Sequence, residues 1–404
     1  MSQATRLSRR ELLGVAGRGA ASLGMMSFLA ACGVSATGSR SKVKGLRVLP
    51  PKAGELSVAS WPGYIDQDQK TKTRPSVDQF TSETGIKVTY KEVIDDNQIF
   101  FGTVRETLAR GGSTGWDLYV ISDWLVTKHI QLGYLEELHL DRIPNFTTNA
   151  AAIYKSPDYD PGSRHSIPWQ AGLTGIAYNR KRTGRDLTSF DDLFDPRFKK
   201  KVGMMTEMRD TVNLALLAAG VDLQKATTED VKQVQKRLLK QKKDGIVRAY
   251  YGNEYVDALA HGDLWACMAW SGDVLSLVLD NPDLRFVIPR EGGIVWVDAM
   301  VIPKGAEHPT DAHEWMNFYY RPEIAAGITE VANFVSPVPA AQDVLRTRAL
   351  AAEDPDDRAT LEDLVNSPLV FPTAEMQKRL HYYKQLTEAE EKEWNDLFQE
   401  VTQG

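Results

Sequence analysis

The stretch "PSVDQFTSETGIKVTYKEV", residues 75–93, carries two different periods back to back, and the change from one to the other decides the fold. Its first half reads as a helix, with Pro75 near the start, where a missing N–H costs nothing, and Gly85 as the stop. Its second half alternates, placing Ile86, Val88 and Tyr90 on one side as a strand does. Upstream lies another short strand, "ELSVAS" (55–60); downstream a helix is expected from about Asn97 to Arg110, and then the strand "DLYVIS" (117–122). This order, βαβαβ, builds a parallel sheet covered by helices. In open sheets of that kind, ligands bind beyond the carboxyl ends of the strands. Those ends carry "SWPGY", with Trp61 and Tyr64, and "SDW", with Ser122, Asp123 and Trp124, so two aromatic-bearing loops are expected to meet at one crevice.

A second α/β block is expected to begin near "HSIPWQAGLTGIAYN" (165–179) and to continue through "KVGMMTEMRDTVNLALLAAG" (201–220) and a basic helix, Glu229 to Lys243. It closes with "YVDALAHGDLWACMAWSGDV" (255–274), a short helix running into a strand that ends at Trp270. The stretch "EGGIVWVDAMVIP" (291–303) then reads as a strand, with Ile294, Trp296, Asp298, Met300 and Ile302 on one side. A carboxylate alone in such a run would cost several kcal/mol or protonate, so Asp298 needs a cationic or hydrogen-bonding partner. That partner need not belong to the chain. A helix near Thr310 to Tyr320 and a last one in "TEAEEKEWNDLFQEV" (387–401) complete the pattern.

With 404 residues, 42% hydrophobic and 25% charged, the chain is long enough for two globular domains. A net charge of -6 argues against a nucleic-acid partner. The two cysteines, Cys32 and Cys267, make no disulfide framework, and neither CxxC nor zinc-ligand spacing occurs. Phosphate loops and nucleophile elbows are absent, and "HEWMN" at His313 lacks the second histidine of a zinc site, so no cofactor and no metal are expected. The first 32 residues have the make-up of an export leader: Arg9 and Arg10 resemble a twin-arginine signal, and Leu29 to Cys32 resemble a lipobox, cut before Cys32 and acylated on its thiol. The rival reading is an anchor left in place, which Arg18 and the glycine content disfavour. Residues 33–53 suit a flexible, basic spacer.

What recurs elsewhere is an aromatic residue close to an acid near the end of a strand: Trp124 with Asp123, Trp270 with Asp273, and Trp296 with Asp298. The "TEMRDT" loop adds Glu207 and Asp210. Tryptophan faces and carboxylates together suit an elongated organic cation, through charge-assisted hydrogen bonds and cation–π attraction. Plainer roles compete. Asp210 could equally cap the helix after it, capping is favoured for Asp123 and Asp273, and Trp265, Trp315 and Trp394 read as core. Trp169 could be core or rim, and the basic runs at Lys199–Lys201 and Lys232–Lys243 read as solvated faces. Asp298 is the hardest to explain in such plain terms.

From about Leu56 to Gln342 the chain resembles the periplasmic spermidine/putrescine-binding proteins of ABC importers. The likeness is carried by "SWPGYI", "FTSETGIKVTY", "DLYVISDW", "SIPWQAGLTGIAYN", "TSFDDLFDPRFKKKVGM", "MAWSGD", "EGGIVWVDAMVIP" and "NFYYRPEIAAGI". The resemblance implies a class II periplasmic-binding-protein fold of two α/β lobes, residues 54–169 plus 297–341 and 170–296 plus 342–404, closing on a ligand at a hinge. It implies ligand contacts for Trp61, Tyr64, Ser122, Trp124, Glu207, Asp210, Trp270, Trp296 and Asp298, to which Asp123 is added from the "SDW" loop. Glu207 stands where the family has aspartate and Asp210 where it has glutamate, and the family's C-terminal glutamine is matched only loosely, by Tyr383 or Gln385. The function implied is a lipid-anchored, extracytoplasmic, monomeric receptor, not an enzyme, that hands a polyamine to membrane permease subunits with a cytoplasmic ATPase. One alternative is the same fold binding another organic amine or a zwitterion, with Arg209 or Arg248 for its carboxylate. A more distant one is an exported glycosidase, disfavoured because nothing in the sequence calls for a carboxyl group of raised pKa.

Overall fold

The computed structural model describes residues 46–68, 71–94 and 96–403. Arg9, Arg10, Cys32 and the expected spacer as far as residue 45 lie outside the described residues. The strands are β1 (Glu55–Ser60), β2 (Lys87–Glu92), β3 (Leu118–Ser122), β4 (Ser166–Asn179), β5 (Val202–Met205), β6 (Val247–Tyr251), β7 (Ala266–Trp270), β8 (Leu284–Val287), β9 (Gly293–Val301) and β10 (Leu380–His381). They form one sheet in the order β2-β1-β3-β9-β4-β7-β5-β6, with β10 beside β9 and β8 beside β4.

The opening stretch folds as its periods dictate. Pro75 starts the helix Pro75–Thr84, and Gly85 ends it at φ 74°, the left-handed conformation that glycine adopts without strain. β1 lies parallel to both β2 and β3. At the other end of the sheet, β5 lies parallel to β6 and β7. Between these parallel blocks run β4 and β9, antiparallel to one another and buried at every position. Apolar side chains on both faces are what a strand in the middle of a covered sheet requires.

Each of these two strands serves both blocks. Residues 298–301 of β9 pair with β3, while residues 174–178 of β4 pair with β7. Opposed residues in an antiparallel pair share a face of the sheet. Asp298 stands opposite Ser122 on one flank and Gln170 on the other; Trp296 faces Gly172; Thr174 faces both Ile294 and Trp270. One face at the crossover therefore carries Ser122, Asp298, Gln170, Trp296, Thr174 and Trp270. A register shift between Pro168 and Gln170 accommodates Trp169, whose indole N–H donates to the Tyr64 carbonyl at 3.2 Å.

Residues 46–53, within the expected spacer, form no helix or strand but are tied to the body. The Asp311 carboxylate accepts the N–H groups of Ala53 and Gly54, each at 2.9 Å, and Arg47 pairs with Glu136 at 2.8 Å. The helices Ala341–Ala351 and Pro355–Asn366, expected with the second lobe, pack on each other, and Ala341–Ala351 also packs on Pro322–Ala332. Beyond them, β10 returns to pair with Gly293 and Ile294 of β9, and the helix Glu388–Gln403 packs against Thr228–Lys243 and Met208–Ala218. Among the described residues no helix is long and apolar enough to cross a membrane.

Candidate ligand-binding site

Asp298 is 3% exposed and, among the described residues, meets only neutral donors, the Tyr64 hydroxyl at 2.6 Å and the Ser122 hydroxyl at 2.5 Å. Burial pushes its carboxyl up to about 6; the two hydroxyls pull the other way, and no cation among the described residues contributes. Ser122 precedes the helix Asp123–Leu132 but does not cap it through its side chain, which is turned to Asp298.

Asp123 is the first residue of that helix rather than its cap. Its carboxylate accepts the N–H of Trp124 at 2.6 Å and of Val297 at 3.3 Å. Burial raises it to about 7; nearby Asp298 adds to the shift and Arg209 opposes it.

Across the crossover, Asp210 accepts from the Thr174 hydroxyl (2.7 Å), the Tyr383 hydroxyl (2.6 Å) and the Trp270 indole (3.0 Å). It sits inside the helix Met208–Ala218, which Glu207 caps by accepting the Arg209 N–H at 3.1 Å. The capping alternative for Asp210 is thus set aside. Burial raises Asp210, and it raises Glu207 to about 7 against the pull of Arg209. Asp273 is no cap either, since the helix begins earlier, at Ser271, and Tyr255 donates to its carboxylate at 2.8 Å.

Arg209 is the cation these acids share. Only 5% exposed, it lays its guanidinium over the Trp124 ring, 3.9 Å from the centroid. Its Nη2 lies 3.5 Å from Glu391, which also accepts from Gln98 at 3.1 Å and approaches Lys128 at 3.4 Å. Glu391 therefore joins the helices after β2 and β3 to the helix after β5. A cavity of about 220 Å3 opens at this end, bordered by Trp124, Arg209, Lys128, Gln385 and Glu391. Arg248, the other arginine considered for a ligand carboxylate, lies 3.4 Å from Asp263.

The aromatic residues form a chain beside Asp298. Trp61 and Tyr64 have centroids 6.4 Å apart, Tyr64 and Phe334 5.9 Å, and Phe334 and Trp296 5.4 Å. The Trp296 ring lies directly on Gly172, where an added Cβ would come within 2.1 Å of it, so the close approach requires glycine. Sequence reasoning missed Phe334, Thr174 and Gln170. Only the parity of "WQAGLT" along β4 could have pointed to the last two. Of the two C-terminal possibilities, Tyr383 reaches Asp210 and Gln385 borders the cavity. His313 bonds the His139 N–H and the Pro309 carbonyl, and among the described residues no His, Cys, Asp and Glu group is placed to hold a metal.

The expectation that these acids keep ordinary pKa values is overturned, and with it that reason for setting sugar hydrolysis aside. Burial raises all of them together, whereas a hydrolase separates its acid from its base by driving their pKa values apart.

A family profile described as bacterial extracellular solute-binding protein matches residues 76–358. Spermidine/putrescine-binding periplasmic protein 1 of Haemophilus influenzae is 25% identical over 364 residues, covering 90% of this chain and 93% of that one. Putrescine-binding periplasmic protein SpuD of Pseudomonas aeruginosa is 27% identical over 349 residues, covering 82% and 87%. Among solved structures, the spermidine/putrescine ABC transporter substrate-binding protein PotD of Streptococcus pneumoniae superposes with a TM-score of 0.71 at 24% identity, covering 86% of this chain and 98% of that one. That likeness speaks to the fold, an α/β periplasmic-binding-protein fold as the sequence implies.

Proposed function

The chain belongs to the bacterial extracellular solute-binding protein family, and we propose that within it the chain is the receptor of an ABC importer for a polyamine, spermidine or putrescine. The observation that carries this reading is Asp298, a buried carboxylate on the face of a central strand that meets hydroxyls but no cation among the described residues. Around it, burial raises Asp123, Glu207 and Asp210 although Arg209 opposes the rise in each, so a bound cation favours charged forms that burial alone disfavours. An ammonium at Asp298 supplies the missing counter-charge. Trp61, Tyr64, Trp270 and Trp296 then flank the methylenes, and the second ammonium lies toward Asp210 and Glu207. The names of the relatives support the same substrate class.

In this reading the blocks on either side of β4 and β9 are two lobes, those strands are the hinge, and the closed, loaded form is the one a membrane permease with its cytoplasmic ATPase accepts. The protein acts outside the cytoplasmic membrane as a monomer, exported through Arg9 and Arg10 and held by lipid on Cys32. A thermal-shift screen of residues 33–404 against polyamines, amino acids, sugars and thiamine tests the reading, because a ligand of the folded state raises the melting temperature. Stabilisation by spermidine or putrescine is expected; stabilisation by sugars alone would sink it.

A further inference from the structure

Ser122, Asp298 and Gln170 form a row, one residue from each of three adjacent strands, all on the same face. On one flank the Ser122 hydroxyl closes on the carboxylate at 2.5 Å. On the other, Gln170 does not: only Ser122 and Tyr64 hydrogen-bond Asp298 through their side chains. Residues directly opposed in antiparallel strands have Cβ atoms about 5 Å apart, well within the reach of a glutamine. A glutamine placed merely to buttress Asp298 would donate its amide N–H to the carboxylate.

Instead, the Gln170 side-chain oxygen is buried without any hydrogen-bond partner, in a residue 2% exposed. Unpaired acceptors of this kind are uncommon in native cores. The small cavity that Gln170 borders measures about 10 Å3, at the lower limit for a single water. Asp298, meanwhile, accepts one hydroxyl on each of its oxygens. A primary ammonium there brings three N–H donors, and a neutral acceptor on the strand opposite Ser122 would complete its coordination.

We propose that Gln170 Oε1 is a ligand contact that accepts an N–H of the ammonium held by Asp298, and that it thereby selects primary ammonium ends over methylated ones. The inference rests on the polyamine reading and extends it to the kind of nitrogen the site takes. A quaternary nitrogen keeps the charge and the aromatic contacts but offers nothing to Gln170.

The test is calorimetry of the unmodified chain and of Gln170→Met, which keeps the length but removes the acceptor, against putrescine and its derivative trimethylated on both nitrogens, which has no primary end to seat at Asp298. The unmodified chain should prefer putrescine. The variant should lose about fivefold to tenfold for putrescine and much less for the trimethylated ligand, so that the two changes are non-additive. Equal losses for both ligands, or none, would overturn the proposal, because a structural glutamine does not sense N–H groups on the ligand. Should the Met variant fail to fold, Gln170→Asn withdraws the same acceptor by one methylene, and the same ligand ratio decides. Absence of amine binding by the unmodified chain would overturn the polyamine reading as well, whereas amine binding with an unchanged ratio overturns this inference alone.

Discussion

Two ends of the same acidic face are built on opposite plans. Around Asp210, Glu207 and Asp123 the chain provides its own guanidinium, Arg209, seated on Trp124 and reaching toward Glu391. Around Asp298 the described residues provide only hydroxyls. Hydroxyls orient a carboxylate without discharging it, so this end keeps its need for positive charge, while the other end has part of that need met in advance. Buried acids on one face are thus not equivalent: in the proposed polyamine site the end without a resident cation should dominate the affinity, and the end with one should adjust it.

The first way to break this comparison is Asp298→Asn. It should weaken polyamine binding by about tenfold to a hundredfold, the range set by the roughly 1.5–3 kcal/mol of a charged hydrogen bond; unchanged calorimetric affinity would remove Asp298 from the site. Acidification comes next. Burial raises Asp298 to about 6 and Asp123 and Glu207 to about 7. A carboxyl whose pKa is higher folded than unfolded makes the folded state bind more protons, so the unliganded chain should gain stability as pH falls through that window. A bound cation needs the charged form, so affinity should move the opposite way, by about tenfold for each pH unit below the pKa of an acid that must give up its proton. Melting curves with and without spermidine between about pH 8 and about pH 5 should show these opposed trends; parallel trends would erase the electrostatic difference.

Glu207→Gln should cost less than Asp298→Asn, about threefold, because Arg209 already offsets part of that charge. A reversed ranking of the two variants would invert the comparison. The smallest effect belongs to Glu391→Gln, which weakens contacts of 3.1–3.5 Å at the cavity without touching Asp298 and should change affinity by less than about fivefold.

Local grammar made the first parallel block legible: proline, glycine and alternation place the helix Pro75–Thr84 and the strands on either side of it. Asp298 could be singled out because a charge amid Val, Trp and Met breaks a pattern visible within a few residues. The capping readings failed for the converse reason. Caps are inferred from neighbours in sequence, yet Asp210 is claimed by Thr174 and Tyr383, and Asp273 by Tyr255, all brought in by the fold. Gln170 stayed hidden because its meaning lies in strand register: it matters only once β4 is seen to lie against β9 at Asp298. The stacking of Arg209 on Trp124 likewise joins residues far apart in the chain.

Glu391 reaches Gln98, Lys128 and Arg209, side chains of this chain alone. If the chain is the receptor proposed above, a clasp of this sort would let it shut unfilled, and unfilled copies would compete with filled ones at the membrane. A transporter judging by outline alone would then spend nucleotide on futile cycles. In that reading discrimination would come from something the ligand alone changes, and the charge state of Asp298 would be one such signal.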